Sequence, residues 1–392
     1  MAGAAGLMVR VLTFVEFYLP GYTAGGPIRT IANLVDQLGD RLDFKLITRD
    51  ADPRDPRPYA DVVRDAFQQI GKAKVFYATP GRLSFASLRR LIGETPHDVL
   101  YLNSFSSPDF TIKPLLLRRF GLLPDVPVVV ASRGEFSEKA LAIKPLKKRS
   151  YLAFAKALGL YEGVTWQASS AYEREDIYRQ FGADSRVVIA SNLPEVVPAR
   201  PVHSDKRLGA LKLLFLARIA RMKNVDGALR MLEGVEAPIT FDIYGPMEDE
   251  ALWAECLRLI ERLPPGIQVQ YRGHLLHHQV REVMAEYDLL FFPTHGENYG
   301  HVIAEALSAG CPVLVSDRTP WRGLEAKQAG WDVPLEDVER FRSILRRCVA
   351  MNAEAHVAWR RGALAHAREV MHDPQAVAKN YELFVRAATR AR

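Results

Sequence analysis

Short apolar runs alternate with amphipathic stretches along nearly the whole chain. The runs read as buried strands and the stretches between them as helices packed on one face. In the first half the pattern predicts strands near Val9–Val15, Phe44–Thr48, Lys74–Tyr77, Val99–Leu102, Val126–Ala131, Val164–Ala168 and Val187–Ala190. Helices are expected over Ile28–Leu38, Phe85–Ile92, Ile143–Leu158 and Ala171–Gln180. The stretch from Asn192 to Arg207 collects Pro194, Pro198 and Pro201 among polar residues and reads as a linker. The pattern then restarts. Strands are expected near Leu211–Ala217, Ile239–Tyr244, Val269–Tyr271, Leu289–Pro293 and Val313–Ser316, with helices near Val225–Leu232, Ala251–Leu263, His278–Glu286, Gly300–Ser308 and Val338–Met351. Such alternation implies parallel βαβ units. The expected fold class is α/β, with two doubly wound Rossmann-like domains facing a cleft. The expected boundaries are 1–198 for the first domain, 199–207 for the linker, 208–373 for the second domain and 374–392 for a last helix.

Composition narrows the class. A chain of 392 residues, 48% of them hydrophobic, suffices for two or three packed cores. Its three cysteines, Cys256, Cys311 and Cys348, have neither disulfide nor metal-ligand spacing, which fits a reducing cytoplasm. No apolar run approaches the roughly 20 residues needed to cross a bilayer. Arg10 and Glu16 interrupt the mildly apolar start, so no signal-peptide layout is expected. The formal charge of +6 fits phosphorylated ligands, an anionic membrane surface or nucleic acid. No nucleic-acid recognition motif accompanies it, and no nucleic-acid partner is expected.

The candidate chemistry lies at strand exits. Glu297 and Glu305 stand eight residues apart, after the apolar run Asp288–Phe292, where the chain passes from loop to helix. Open α/β sheets hold their ligands at such strand ends. If that segment were helical throughout, the two Cα atoms would be roughly 12 Å apart, far enough to touch two sugars of one ligand. Arg218 and Lys223 follow the strand at Leu211–Ala217, and Gly25-Gly26-Pro27 follows the first strand. Ala309-Gly310-Cys311-Pro312-Val313-Leu314-Val315 closes the helix and opens another strand.

In this order the residues resemble the Glu-x7-Glu motif and its companions in retaining glycosyltransferases, family 4 of the GT-B fold, over nearly the whole chain. The resemblance implies an acceptor-side first domain, a second domain that binds a nucleoside-diphosphate sugar, and a last helix that returns to the first domain. Arg218 and Lys223 would hold the diphosphate, Glu305 the ribose hydroxyls and Glu297 the transferred sugar. Backbone N–H groups of Asn298, Tyr299, Gly300 and His301 would lie nearby, with a helix N-terminus adding favourable potential. Gly25 and Gly26 would admit the phosphate to backbone N–H groups; Arg29 would reach the same anion or be a surface residue. Backbone around Gly273 and His274 would read the base. With two cations on the phosphates, no metal or other cofactor is expected. Asp50-Ala51-Asp52 matches a metal-binding pattern but reads as a solvated turn, and the adjacent His277 and His278 read as surface residues.

The implied reaction is front-face transfer with retention, in which the leaving phosphate takes the acceptor's proton. Many relatives carry a first-domain histidine near the donor sugar. Here the matching segment, Val130–Phe136, has none, and His97 precedes its strand and so lies at the wrong end of the sheet. Arg133, Gly134 and Glu135 are expected to replace that element, with a salt-bridged loop as the competing reading. Asn103 and Ser104 are further acceptor-side candidates.

Residues 139–156 mix basic and apolar positions. They read either as a helix on an anionic membrane or as one that buries its apolar face in the domain. The two readings are even from the residues; the resemblance implies a cytoplasmic protein with peripheral contact at the inner membrane surface. It would transfer a hexose to a glycan or lipid-linked acceptor in surface-polysaccharide assembly. Two alternatives are a sugar-nucleotide epimerase on the same fold and a basic nucleic-acid-binding protein. A Rossmann dehydrogenase is disfavoured because Gly-x-Gly-x-x-Gly is absent after the first strand.

Overall fold

The computed structural model of the chain describes residues 8–21, 25–53, 55, 57–142, 145–195, 203–371 and 373–390. It divides into two compact units: Met1–Leu193 with Asp373–Arg392, and Pro194–His372. Much of the expected linker, including Pro198 and Pro201, lies outside the described residues, as do Ile143 and Lys144.

The first unit holds β1 (Val9–Phe14), β2 (Leu42–Arg49), β3 (Phe67–Ile70), β4 (Ala73–Ala78), β5 (Val99–Asn103), β6 (Val128–Ala131), β7 (Thr165–Ala168) and β8 (Val187–Ile189). They form one sheet in the order β3-β4-β2-β1-β5-β6-β7-β8. All neighbours are parallel except β3, which pairs antiparallel with β4. Its helices are α1 (Gly26–Leu38), α2 (Phe85–Glu94), α3 (Lys113–Arg119), α4 (Glu138–Ala142), α5 (Pro145–Ala157) and α6 (Ala171–Phe181). The alternation of β1 and β2 with α1 follows from continuous apolar strands flanked by one-sided helices.

In the second unit β9 (Leu211–Leu216), β10 (Ile239–Tyr244), β11 (Ile267–Tyr271), β12 (Leu289–Phe292), β13 (Val313–Ser316) and β14 (Gly330–Val333) form a parallel sheet, ordered β11-β10-β9-β12-β13-β14. Its helices are α7 (Val225–Leu232), α8 (Glu250–Ile260), α9 (His277–Ala285), α10 (His301–Ser308), α11 (Val338–Val349) and α12 (Ala353–Met371). The strand order reverses between β9 and β12. A doubly wound sheet opens a ligand crevice at that switch point, outside the carboxyl ends of the two strands.

The last helix, α13 (Pro374–Thr389), packs in the first unit. Leu383, Phe384 and Ala387 join one face of its sheet together with α1. The Phe384 ring meets those of Tyr101 and Phe44 edge-on, at centroid separations of 5.0 and 6.0 Å. The other face of the sheet buries a second cluster, in which the rings of Phe105, Phe136, Tyr161 and Trp166 pack together.

Several expectations are corrected. The helix expected over Ile143–Leu158 is α5, with Ile143 and Lys144 outside the described residues, and α4 before it was not expected. The strand expected from Val126 starts at Val128, after Pro127. The pattern also omits β3, β14 and α12. The first two, Phe67-Gln68-Gln69-Ile70 and Gly330-Trp331-Asp332-Val333, break the apolar run with polar residues or glycine.

Candidate active site at the second unit's switch point

The loops after β9 and β12 are tied together by backbone acceptors. Asn224, in the left-handed region at φ 59°, donates from its amide to the Pro293 carbonyl at 2.7 Å. The Thr294 hydroxyl and the His295 N–H both donate to the Met222 carbonyl, each at 2.9 Å. Asparagine tolerates that φ better than most side chains, so it suits a sharp turn here. The stitching brings the Lys223 ammonium onto the Glu297 carboxylate as an ion pair. Only 17% of the lysine side chain and 13% of the glutamate side chain stay exposed. Low exposure strengthens the pair and makes loss of either partner costly.

Arg218 is held differently. Its Nη1 donates to Glu248 at 2.5 Å, with 45% of the arginine side chain exposed. An exposed pair contributes about 0–1 kcal/mol, so a phosphate can displace Glu248 at little cost. Glu248 arrives because the exit of β10 passes directly over that of β9. Gly245 sits there at φ 139°, and a Cβ on it would fall 1.8 Å from the Ala217 carbonyl oxygen. Only glycine permits that approach. Neither Gly245 nor Glu248 is signalled by spacing in the sequence, since each acts on a residue about thirty positions away.

Glu297 and Glu305 do not share one helix. α10 starts at His301, capped by Gly300 in the left-handed region at φ 78°. Glu297 therefore lies in the preceding loop, where its N–H donates to the Arg318 carbonyl at 3.0 Å. Between them, the Tyr299 carbonyl accepts from the Trp321 indole at 2.6 Å, and the Tyr299 ring lies 4.7 Å from that of His301. Trp321, absent from the sequence expectations, thus clamps the loop that carries Asn298 and Gly300. Glu305 lies 4.0 Å from His277 Nδ1, whose ring contacts Glu195 through Nε2 at 2.9 Å. His277, expected to be a plain surface residue, is instead a bridge between two acids. The side chain of His278 lies outside the described residues.

Gly273 and His274 follow β11 at the same end of the sheet. The Gly273 carbonyl accepts from Gly245 N–H at 2.7 Å, and Arg272 pairs with Asp242 at 3.2 Å. The structure thus gathers Arg218, Lys223, Glu297, Asn298, Tyr299, Gly300, His301 and Glu305 around the exits of β9 and β12, with Gly273 and His274 beyond β10.

The first unit has its own switch point, between β1 and β5. Gly25 caps α1 at φ 65°, and Gly26 opens that helix. After β5, the Asn103 amide donates to the Phe14 carbonyl at 3.2 Å, and Ser104 Oγ accepts from the N–H groups of Ser106 and Ser107. Arg133 and Glu135, after β6, form no salt-bridged loop. Glu135 accepts from Phe105 N–H at 2.8 Å and from Ser106 Oγ at 2.6 Å, while Arg133 is held by neutral oxygens of Asn103, Asn192 and Tyr101. Glu173, missed in the sequence, is buried and accepts from Ser132 Oγ, Gly134 N–H, and Ser169 N–H and Oγ at 2.7–2.8 Å. It fixes the loop that carries Arg133.

Nearby, Arg49 bridges Glu16 and Asp109 at 3.2 and 2.8 Å, and Lys113 holds Asp109 at 2.6 Å. Burial would raise the Asp109 carboxyl, but the two cations outweigh it and hold it below its ordinary range. Asp50 and Asp52 are not a solvated turn: Asp50 is buried and Asp52 accepts from the Tyr59 hydroxyl at 3.1 Å. Among the described residues, no group of three or more His, Cys, Asp or Glu side chains is placed to hold a metal.

Comparison with known proteins agrees with this geometry. Residues 200–363 match the family described as Glycosyl transferases group 1. The fold is GT-B. HepE of Anabaena, solved with UDP and glucose, superimposes with a TM-score of 0.67 at 15% identity, covering 97% of this chain and 100% of that one. Sucrose-phosphate synthase from Thermosynechococcus elongatus gives 0.69 at 14%, covering 98% and 100%. WaaG, a glycosyltransferase involved in lipopolysaccharide biosynthesis, gives 0.63 at 16%, covering 97% and 99%. In sequence, the O-antigen chain mannosyltransferase B of Escherichia coli is 24% identical over 165 residues, 38% of this chain. The match covers only 42% of that relative's length. The group 1 match contains every switch-point residue of this GT-B chain's second unit.

Proposed function

We propose that the chain is a retaining glycosyltransferase that moves a hexose from a nucleoside-diphosphate sugar to a glycan or lipid-linked acceptor, in the assembly of a surface polysaccharide. The observation that carries the reading is the sheltered Lys223–Glu297 pair beside Arg218 at the switch point of the second sheet. The donor diphosphate would draw Lys223 from Glu297 and Arg218 from Glu248. Both cations then stand where negative charge grows as the bond to the sugar breaks. The released Glu297 carboxylate accepts from hydroxyls of the transferred hexose, and Glu305 from those of the ribose. The departing phosphate takes the acceptor's proton, so no protein base is required and the new bond forms on the face the phosphate leaves. With two cations in place, transfer proceeds without a metal, and EDTA should leave the rate unchanged.

HepE complexes with UDP-glucose and UDP support a nucleotide-sugar donor. The O-antigen and lipopolysaccharide relatives support a glycan acceptor. The first unit would serve the acceptor through Arg133, Glu135, Asn103 and Ser104, and Gly25 and Gly26 would admit a phosphate at the start of α1. Peripheral contact with an anionic membrane would use the exposed face of α5.

Thermal shift with UDP-, GDP- and ADP-sugars tests the donor site. One donor should raise the melting temperature, Glu305→Ala should abolish that rise, and Arg218→Ala should lower kcat at least about tenfold. Full activity in either variant contradicts the role assigned to that residue. Product analysis with donor alone separates transfer from epimerisation.

A further inference from the structure

Arg133 is a half-buried cation that no carboxylate contacts among the described residues. Its Nε donates to Asn103 Oδ1 at 3.2 Å, Nη1 to Asn192 Oδ1 at 2.7 Å and Nη2 to Tyr101 Oη at 2.6 Å, with a further short bond from Nη2 to Asn103. A guanidinium has five N–H donors, so one, on Nη1, is left. Among the described residues Arg133 forms no ion pair, and the acids in its own loop environment, Glu135 and Glu173, are engaged by hydroxyl and backbone N–H groups. A charge removed from water is ordinarily paired. Glu173 acts on the adjoining Tyr101 through space, but among the described residues no carboxylate touches the guanidinium itself.

The set of groups that holds Arg133 is stiff. Arg133 has φ 53° and Ser104, at the end of the adjacent strand, has φ 107°. Neither is glycine, and such backbone is costly unless its surroundings enforce it. Enforcement reaches far along the chain. Tyr101 Oη donates to Gln167 Oε1 at 2.5 Å, Gln167 Nε2 donates to Asn380 Oδ1 at 3.3 Å, and Asn380 Nδ2 donates to the Ser191 carbonyl at 2.8 Å. Asn380 belongs to α13. A donor–acceptor relay with one consistent direction thus runs from Arg133 through β5 and β7 to the last helix. Burial raises the Tyr101 phenol, which keeps it neutral and able to serve as both acceptor and donor.

We infer that Arg133 is the receptor for a phosphate group carried by the acceptor, and that Tyr101, Gln167 and Asn380 are its positioning residues. With a single N–H left, Arg133 can add one charge-assisted hydrogen bond to an anion, without the two-pronged grip that a free guanidinium offers carboxylate and phosphate alike. A phosphate, whose charge is spread over several oxygens, can take that one donor and still bind others. That the phosphate belongs to the acceptor rests on the glycosyltransferase reading; the phosphate site itself does not.

The test titrates the full chain with inorganic phosphate, followed by calorimetry, with and without saturating UDP. The expected result is saturable phosphate binding that persists when UDP occupies the second unit. Arg133→Gln should weaken it at least about tenfold, as loss of a charge-assisted hydrogen bond requires. Tyr101→Phe and Asn380→Leu should each weaken it several-fold while leaving UDP affinity at the wild-type value, a split that general destabilisation would not give. Phosphate binding that survives Arg133→Gln unchanged, or that is absent from the wild type, overturns the proposal. If UDP does not bind, the donor reading fails, while the comparison of wild type with Arg133→Gln still reads the phosphate site. Glucose 6-phosphate, and phosphatidylcholine vesicles with and without phosphatidate, distinguish a soluble phosphate from a lipid one.

Discussion

His356 shows how one side chain sets a response to acid. Its Nε2 meets the Asp288 carbonyl at 2.8 Å, so that nitrogen must carry the proton. Nδ1, 2.6 Å from Ser204 Oγ, is then the acceptor. Burial lowers the folded-state pKa of the imidazole, although the Asp288 carbonyl opposes the shift. The unfolded chain takes up a proton near the usual value of about 6.5, before the folded chain does. Its stabilising effect is therefore full above that pH and declines as the pH falls toward the folded value. Urea midpoints measured from pH 7.5 to 5.5 should fall, and His356→Gln should flatten the slope. An unchanged slope in the variant would assign the acid sensitivity to another group. The residues that meet at the second switch point were legible because each follows a recognisable strand. Glu248, Trp321 and Glu173 were not, because their partners are remote in sequence and no local spacing marks them.

Among the elements, α5 is the one whose surface exceeds what its packing needs. Leu152 and Ala155 are buried, while Leu146 is 81% and Phe154 50% exposed. Leu146, Ser150 and Phe154 recur at four-residue intervals and so share a stripe. Lys147, Arg149 and Lys156 are exposed on the same helix. One side of α5 therefore packs inward, while another combines basic with apolar groups. Cosedimentation with phosphatidylglycerol vesicles should exceed that with phosphatidylcholine alone, and Leu146→Ser with Phe154→Ser should abolish the excess. Equal binding by the double variant would discard the surface. Elements with a continuous apolar run or a clear helical period, such as β10, β13 and α7, matched the sequence expectation residue for residue. β3 and β14 carry Gln68, Gln69, Gly330 and Asp332 within such a run, and pairing with a neighbour already in place makes them strands.

For the whole molecule, the decisive feature is that the chain passes out of the first unit at Leu193 and re-enters it at Asp373. Removing residues 373–392 would uncover Tyr101 and Phe44 and strand the Gln167 amide from Asn380. Exposing such aromatic surface costs about 3–5 kcal/mol for a single buried phenylalanine. Limited proteolysis of the truncated chain should therefore degrade the first unit and spare the second. Equal resistance of both would show that α13 is dispensable there. The periodicity indicated a terminal helix, and only the resemblance implied its return to the first domain, because an amphipathic stripe names no partner.

That return crossing also orders events during synthesis. A domain made of one continuous stretch can close as soon as it clears the ribosome, but the first unit here lacks a wall until α13 emerges. The later-made domain can complete itself first, and the earlier one waits, with an apolar sheet face open, until α13 has emerged.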